Sequence, residues 1–125
     1  MKYFEIEGRL PSLNDYINKC RTNKYLAAKF KSDTEEIIGV FIKKAKLGQI
    51  TKPCEIHITW VEPNRKRDVD NIQSAQKYIL DALVKEGILK NDTQKWVRQI
   101  THKILVDEEP RILVVFLEIG DDITN

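Results

Sequence analysis

Polar and apolar positions alternate at the start of the chain, where Phe4 and Ile6 are set between Tyr3, Glu5 and Glu7. That two-residue period belongs to a strand with one buried face, predicted from about Lys2 to Gly8. Pro11, Ser12 and Asn14 interrupt it, and Ser12 is suited to cap a short helical turn running to Lys19. Beyond Asn23 the period lengthens. Leu26, Phe30, Ile37, Phe41 and Ala45 are spaced by fours and sevens and line one face of a long helix ending near Gly48. Pro53 resets the chain, and Ile56, Ile58 and Trp60 alternate with Glu55, His57 and Thr59 in a second strand closed by Pro63. Asn64 to Arg67 is a polar loop.

From Asp70 to Lys85 the pattern is again helical, with Ile72, Ala75, Ile79, Ala82 and Leu83 facing a core and Gly87 just past the last turn. Trp96 to Val106 and Arg111 to Ile119 are rich in β-branched residues and separated by the turn-prone stretch Asp107 to Pro110, so they are expected to form an antiparallel pair. The order strand, helix, strand, helix, strand, strand predicts an α+β fold. Two main helices would pack on one face of an antiparallel or mixed sheet of about four strands. With no repeat, low-complexity tract or linker, residues 1–125 are expected to form a single domain.

Composition narrows the class. Hydrophobic residues are 42% of the chain and charged ones 32%, enough apolar material to exclude an intrinsically disordered segment. No apolar run reaches the roughly 18 residues of a membrane span, and glutamates stand where a secretory leader would be apolar, so a cytoplasmic protein without membrane association is expected. Cys20 and Cys54 have no partner at metal-ligand spacing and are expected to be small buried side chains; His57 and His102 are expected to be satisfied or surface histidines, and Trp60 and Trp96 core or interface residues and not base-stacking platforms. The net charge of +2 conceals an asymmetry: residues 1–103 hold 20 Lys and Arg against 13 Asp and Glu, a balance of +7, while the acidic C-terminal segment 104–125 stands at −5. Two cationic clusters result, one of Lys19, Arg21, Lys24, Lys29 and Lys31, the other of Arg65, Lys66 and Arg67. Both suit a polyanion, since neutralised phosphates release counterions; either is also compatible with an ordinary solvated face.

The chemistry concentrates in Arg67-Asp68-Val69-Asp70-Asn71. Two carboxylates two residues apart in an extended segment point the same way. Their repulsion calls for a cation, supplied by Arg65 and Arg67 as ion pairs or by a hard divalent metal; a third reading makes the acids helix caps. Asp70, Ser74, Lys77 and Asp81 then share one helical face, where Lys77 can meet a phosphate or pair with Asp81. Asp92 lies in the polar connection Lys90 to Gln94, where it could be a turn residue.

In order and spacing these segments resemble the RusA family of Holliday junction resolvases. The resemblance runs from Arg9 to about Lys103 and is carried by Pro11-Ser12-Leu13-Asn14-Asp15-Tyr16, by Arg65 to Asn71, by Lys77 with Asp81-Ala82-Leu83, by Gly87, and by Asn91-Asp92-Thr93-Gln94. It implies a homodimeric endodeoxyribonuclease of phage or prophage type that nicks four-way junction DNA and depends on Mg²⁺, with Mn²⁺ as a substitute. It makes Asp68, Asp70 and Asp92 the metal-binding catalytic carboxylates and Lys77 the essential catalytic cation. The family's lysine follows the second aspartate by four residues, a place held here by Ser74. Lys77 fits with about one inserted helical turn and keeps the four-residue spacing to Asp81. Asn14, Lys24, Lys29, Lys31, Arg65, Lys66 and Arg67 become the expected DNA-binding residues. The competing readings are an inactive junction-binding module and a small metal-dependent phosphohydrolase acting on nucleotides.

Overall fold

The computed structural model describes residues 2–120. It runs β1 (Lys2–Glu7), α1 (Leu13–Thr22), α2 (Lys24–Ala45), β2 (Cys54–Glu62), α3 (Val69–Gln73), α4 (Gln76–Lys85), β3 (Val97–Val106) and β4 (Arg111–Glu118). The expected α+β class is realised with a mixed sheet in the order β1-β4-β2-β3. The strand residues predicted to point inward, Phe4, Ile6, Ile56, Ile58 and Trp60, are all buried, and they join Ile79 and Leu83 of α4 in one core. No helix among the described residues is long and apolar enough to cross a membrane. Asp121 and Asp122 of the acidic C-terminal segment lie outside the described residues.

Three expectations are corrected. The last two strands do not pair with each other: β3 lies parallel to β2, and β4 is inserted between β1 and β2, antiparallel to both. The connection between them crosses the end of β2, where the Asp107 amide donates to the carbonyl of Glu62 at 2.9 Å. The reason lies in side-chain chemistry. β4, Arg-Ile-Leu-Val-Val-Phe-Leu-Glu, is apolar enough for a central place, with Ile112, Val114 and Phe116 buried, whereas β3 carries exposed Arg98, Gln99 and Lys103 and suits an edge.

The buried stripe of α2 is also rotated from the predicted one. Ala27, Thr34, Ile38, Gly39 and Ile42 are buried, while Leu26 is 37% and Ile37 57% exposed. Thr34 can occupy the stripe because its hydroxyl donates to the carbonyl of Phe30 at 2.8 Å. At Gly39 the Glu86 side chain, just past α4, lies over the helix: a Cβ there would stand 2.6 Å from its carboxylate oxygen and oblige that side chain to move. Cys54 is buried as expected, and burial pushes its thiol up to about 11. Cys20 is exposed, because α1 buries none of its residues.

The rotated stripe predicts unequal costs at adjacent positions. Ile38→Ala should lower stability by about 2–5 kcal/mol through a core cavity, and Ile37→Ala by no more than about 0.5 kcal/mol. Urea-unfolding midpoints of the two variants check this, and equal losses would contradict the packing.

Candidate active site

The polar loop after β2 is fastened at both ends to the segment before and at the start of α1. Glu62, the last residue of β2, is buried and pairs with Arg9, whose Nη2 lies 2.7 Å from its carboxylate. At the loop's far end the Arg67 guanidinium donates to the Leu10 carbonyl at 2.8 Å and stands 3.7 Å from the Asp15 carboxylate. Asp15 itself closes a capping box with Ser12, each side chain bonding the other's backbone amide, so the predicted Ser12 cap is present. Between the anchors Asn64 accepts from the Lys66 amide at 2.9 Å, an Asx turn that leaves Arg65 and Lys66 exposed.

Asp68 and Asp70 follow directly. Asp68 occupies the position before α3 with extended backbone, yet its side chain makes no capping hydrogen bond. Asp70 is exposed and accepts the Asn71 amide at 3.0 Å. Among the described residues neither carboxylate has an ion-pair partner within salt-bridge distance: Arg67 is turned toward Leu10 and Asp15, and Arg65 makes no pair. The neighbouring arginines therefore do not neutralise the two acids, and Asp68 does not serve as a side-chain cap.

The predicted single helix from Asp70 to Lys85 is broken after Gln73. Bonds to the third preceding residue, Ala75 to Ile72 and Tyr78 to Ala75, tighten the chain there, and the Ser74 hydroxyl donates to the Asn71 carbonyl at 2.9 Å. Helix α4 then brings Lys77 to the side of two acids. Its ammonium is 2.9 Å from Asp81 and 3.8 Å from Asp92. Lys31 of α2 reaches the other oxygen of Asp81 at 3.0 Å and lies 3.9 Å from Glu35. The hydrogen bond from Lys77 to Asp81 holds the lysine's pKa above its ordinary value. Burial works against the charge on Asp81, but the hydrogen bonds from Lys77 and Lys31 outweigh it and keep the carboxyl below its usual range. Lys77 is thus a standing cation, able to stabilise negative charge and unable to accept a proton. Leu13, Tyr16, Lys31, Ser74, Lys77 and Tyr78 line a cavity of 310 Å³ beside it.

Asp92 is placed by its own loop, where Asn91 accepts from the amide of Thr93 at 3.1 Å and from its hydroxyl at 2.6 Å. The amides of Trp96 and Val97 both bond the Thr93 carbonyl, and the Cys54 amide bonds the Trp96 carbonyl, tying the loop to the start of β2. Asp92 stands beside Lys77, and among the described residues no three His, Cys, Asp or Glu side chains gather closely enough to hold a metal ion. The donor chemistry nonetheless fits Mg²⁺. All three candidates offer hard oxygens, two of them are unpaired, and Mg²⁺ commonly takes one or two protein carboxylates and completes its shell with waters and substrate phosphate.

The expected DNA-binding residues divide into two groups. Asn14, Lys24, Arg65 and Lys66 are exposed with no salt bridge, whereas Lys29 pairs with Asp33 at 3.0 Å and Lys31 and Arg67 are held by the partners described above. Sequence patterning did not identify Asp81 as the hub joining α2 to α4, nor the Arg9–Glu62 pair; the Lys77–Asp81 spacing was visible, but contacts between distant segments leave no local signal. His57 bonds Thr101 and Glu55, and both tryptophans are buried, as expected.

The family model described as endodeoxyribonuclease RusA matches residues 8–116. No curated protein matches the chain.

Because Glu62 is buried and Arg9 is its ion-pair partner, Arg9→Ala should destabilise the protein by about 1–3 kcal/mol. The double variant Arg9→Ala/Glu62→Leu should recover part of that loss. Chemical denaturation of the two measures it, and a double variant no more stable than the single would count against an unpaired carboxylate as the cause.

Proposed function

The chain belongs to the RusA endodeoxyribonuclease family, and from that membership we propose that it is a Mg²⁺-dependent endonuclease acting as a homodimer on four-way DNA junctions, which it resolves by paired nicks. The observation that carries this reading is the pair of carboxylates, Asp68 and Asp70, left without a protein cation directly after a loop that exposes Arg65 and Lys66. Asp68, Asp70 and Asp92 would hold the metal. Bound there, Mg²⁺ would activate a water and stabilise the leaving 3′ oxygen. Lys77, permanently charged, would stabilise the negative charge that develops on the phosphate oxygens. That ammonium lies 2.9 Å from Asp81 and 3.8 Å from Asp92. Arg65 and Lys66 would contact the flanking phosphates and fix orientation without reading sequence. A two-fold dimer presents two identical sites to the two strands that must be cut.

A second reading, junction binding without cleavage, is favoured by one observation: among the described residues Asp68, Asp70 and Asp92 are not gathered into a single three-carboxylate cluster. Incubation of the protein with a four-way junction and Mg²⁺ or Mn²⁺ separates the two. Symmetrical nicks with 5′ phosphates are expected. Asp70→Asn should abolish them while binding persists; Lys77→Ala should slow them by on the order of 100-fold or more, and Ser74→Ala should be nearly silent. Binding without nicks under any divalent metal would favour the second reading, and neither binding nor nicks would end both.

Exposed cations predict the salt dependence. Arg65→Ala/Lys66→Ala should reduce the slope of log affinity against log salt by about 2, one unit for each phosphate left without its cation. Lys29→Ala, which frees Asp33 as it removes a cation, serves as the comparison. An unchanged slope in the double variant would place the loop away from the DNA.

A further inference from the structure

One side chain ties the sheet to the start of α4 without belonging to the carboxylate cluster. His102 lies on β3, paired in register with Ile58, on the strand side that Ile100 and Ile104 pack against the core. Its Nδ1 is 2.9 Å from Nε1 of Trp60, whose side chain is buried at 2% exposure. The indole N–H can only donate, so Nδ1 must present a lone pair. The two ring planes are within 15° of parallel, an orientation compatible with donation to the in-plane lone pair. The other ring nitrogen, Nε2, is 2.9 Å from Oε1 of Gln76 and therefore donates its proton to that oxygen. The neutral ring with hydrogen on Nε2 satisfies all four atoms; an imidazolium would set one N–H against another at Trp60. Burial holds the His102 pKa below its ordinary value, in the same direction.

Gln76 is the first residue of α4. It follows the break at Ser74 and Ala75 and immediately precedes Lys77. Neither α3 nor α4 has a side-chain cap at its N-terminus. The body of α4 is seated by the buried Tyr78, Ile79, Leu80, Ala82 and Leu83 and by the Lys31–Asp81 pair, whereas its first turn, which carries Lys77, is tied to the sheet by the Gln76 bond. We infer that His102 is a positioning residue for phosphodiester cleavage: its neutral Nε2–H form, oriented by Trp60, fixes Gln76 and thereby sets the reach of Lys77 toward the phosphate.

This inference rests on the nuclease reading above, and two measurements test it separately from that reading. In the ¹⁵N spectrum of the protein without DNA, His102 should show an unprotonated Nδ1 and a protonated Nε2. Gln76→Met cuts the last bond of the relay and leaves Trp60 satisfied. It should slow single-turnover junction cleavage by about 10- to 100-fold, the scale of a small misplacement, while the junction Kd measured with Ca²⁺ stays within about twofold. His102→Gln keeps one acceptor and one donor and should retain more activity than His102→Phe. Wild-type cleavage rates in Gln76→Met, a protonated Nδ1, or parallel losses of rate and affinity would each overturn the positioning role. A wild-type protein that nicks no junction would instead fail the nuclease reading and this inference with it, whatever the spectrum shows.

Discussion

The parallel pairing of β2 with β3 governs where the chemistry can lie. A parallel neighbour cannot be reached by a tight turn, so the chain must leave the end of β2, return along the sheet face and re-enter beside the start of β2. The outward part of that path is the cationic loop with Asp68 and Asp70, the return is α3 and α4 with Lys77 and Asp81, and the re-entry is the loop bearing Asp92. Nearly every candidate catalytic group thus lies on one connection. β4 is the other half of the arrangement, since it fills the opposite side of β2 with a strand apolar enough to be central.

Much of this was legible where one physical demand dominated a stretch of sequence. Phe4 and Ile6 had only one way to be buried, and Ile72, Ala75, Ile79, Ala82 and Leu83 form a stripe that survives the break in the helix. Legibility failed where two solutions were locally equivalent. In α2, Ile37 beside Ile38 and Phe41 beside Ile42 offer two overlapping apolar faces, and the face that is buried is the one carrying Gly39, over which the Glu86 side chain lies. The stretch Asp107 to Pro110 is good turn chemistry whether the flanking strands pair or straddle a third, so turn propensity could not report the topology. In the site, Arg-Asp-Val-Asp-Asn stood out, but Arg67 neutralises neither flanking aspartate, because its partners lie near the start of α1. Lys31, an expected DNA contact, also forms half of the clamp on Asp81, a long-range pairing that its local sequence does not signal.

The arginines explain how two acids can remain uncompensated within a basic loop. Arg9 is committed to a buried carboxylate and Arg67 to a backbone carbonyl and the capping-box aspartate, so these two cations serve architecture. The remaining positive charge, on Arg65 and Lys66, is solvent-exposed and screened, and it can attract a polyanion without quenching the adjacent carboxylates. The loop therefore presents both signs of charge side by side.

Helix α1 is tied at its first turn by the Arg67 contact to Asp15 and rests on the core through the half-buried Tyr16, which meets Tyr78 edge-on, but none of its residues is fully buried. Elements with little buried apolar surface open at a fraction of the global unfolding free energy. With only Tyr16 set against the core, the amides of α1 should exchange with solvent ahead of those of the sheet. Lys19 and Arg21 ride on that helix, so the first cationic cluster is carried partly by a segment whose ordering can be coupled to the contour of whatever surface it meets.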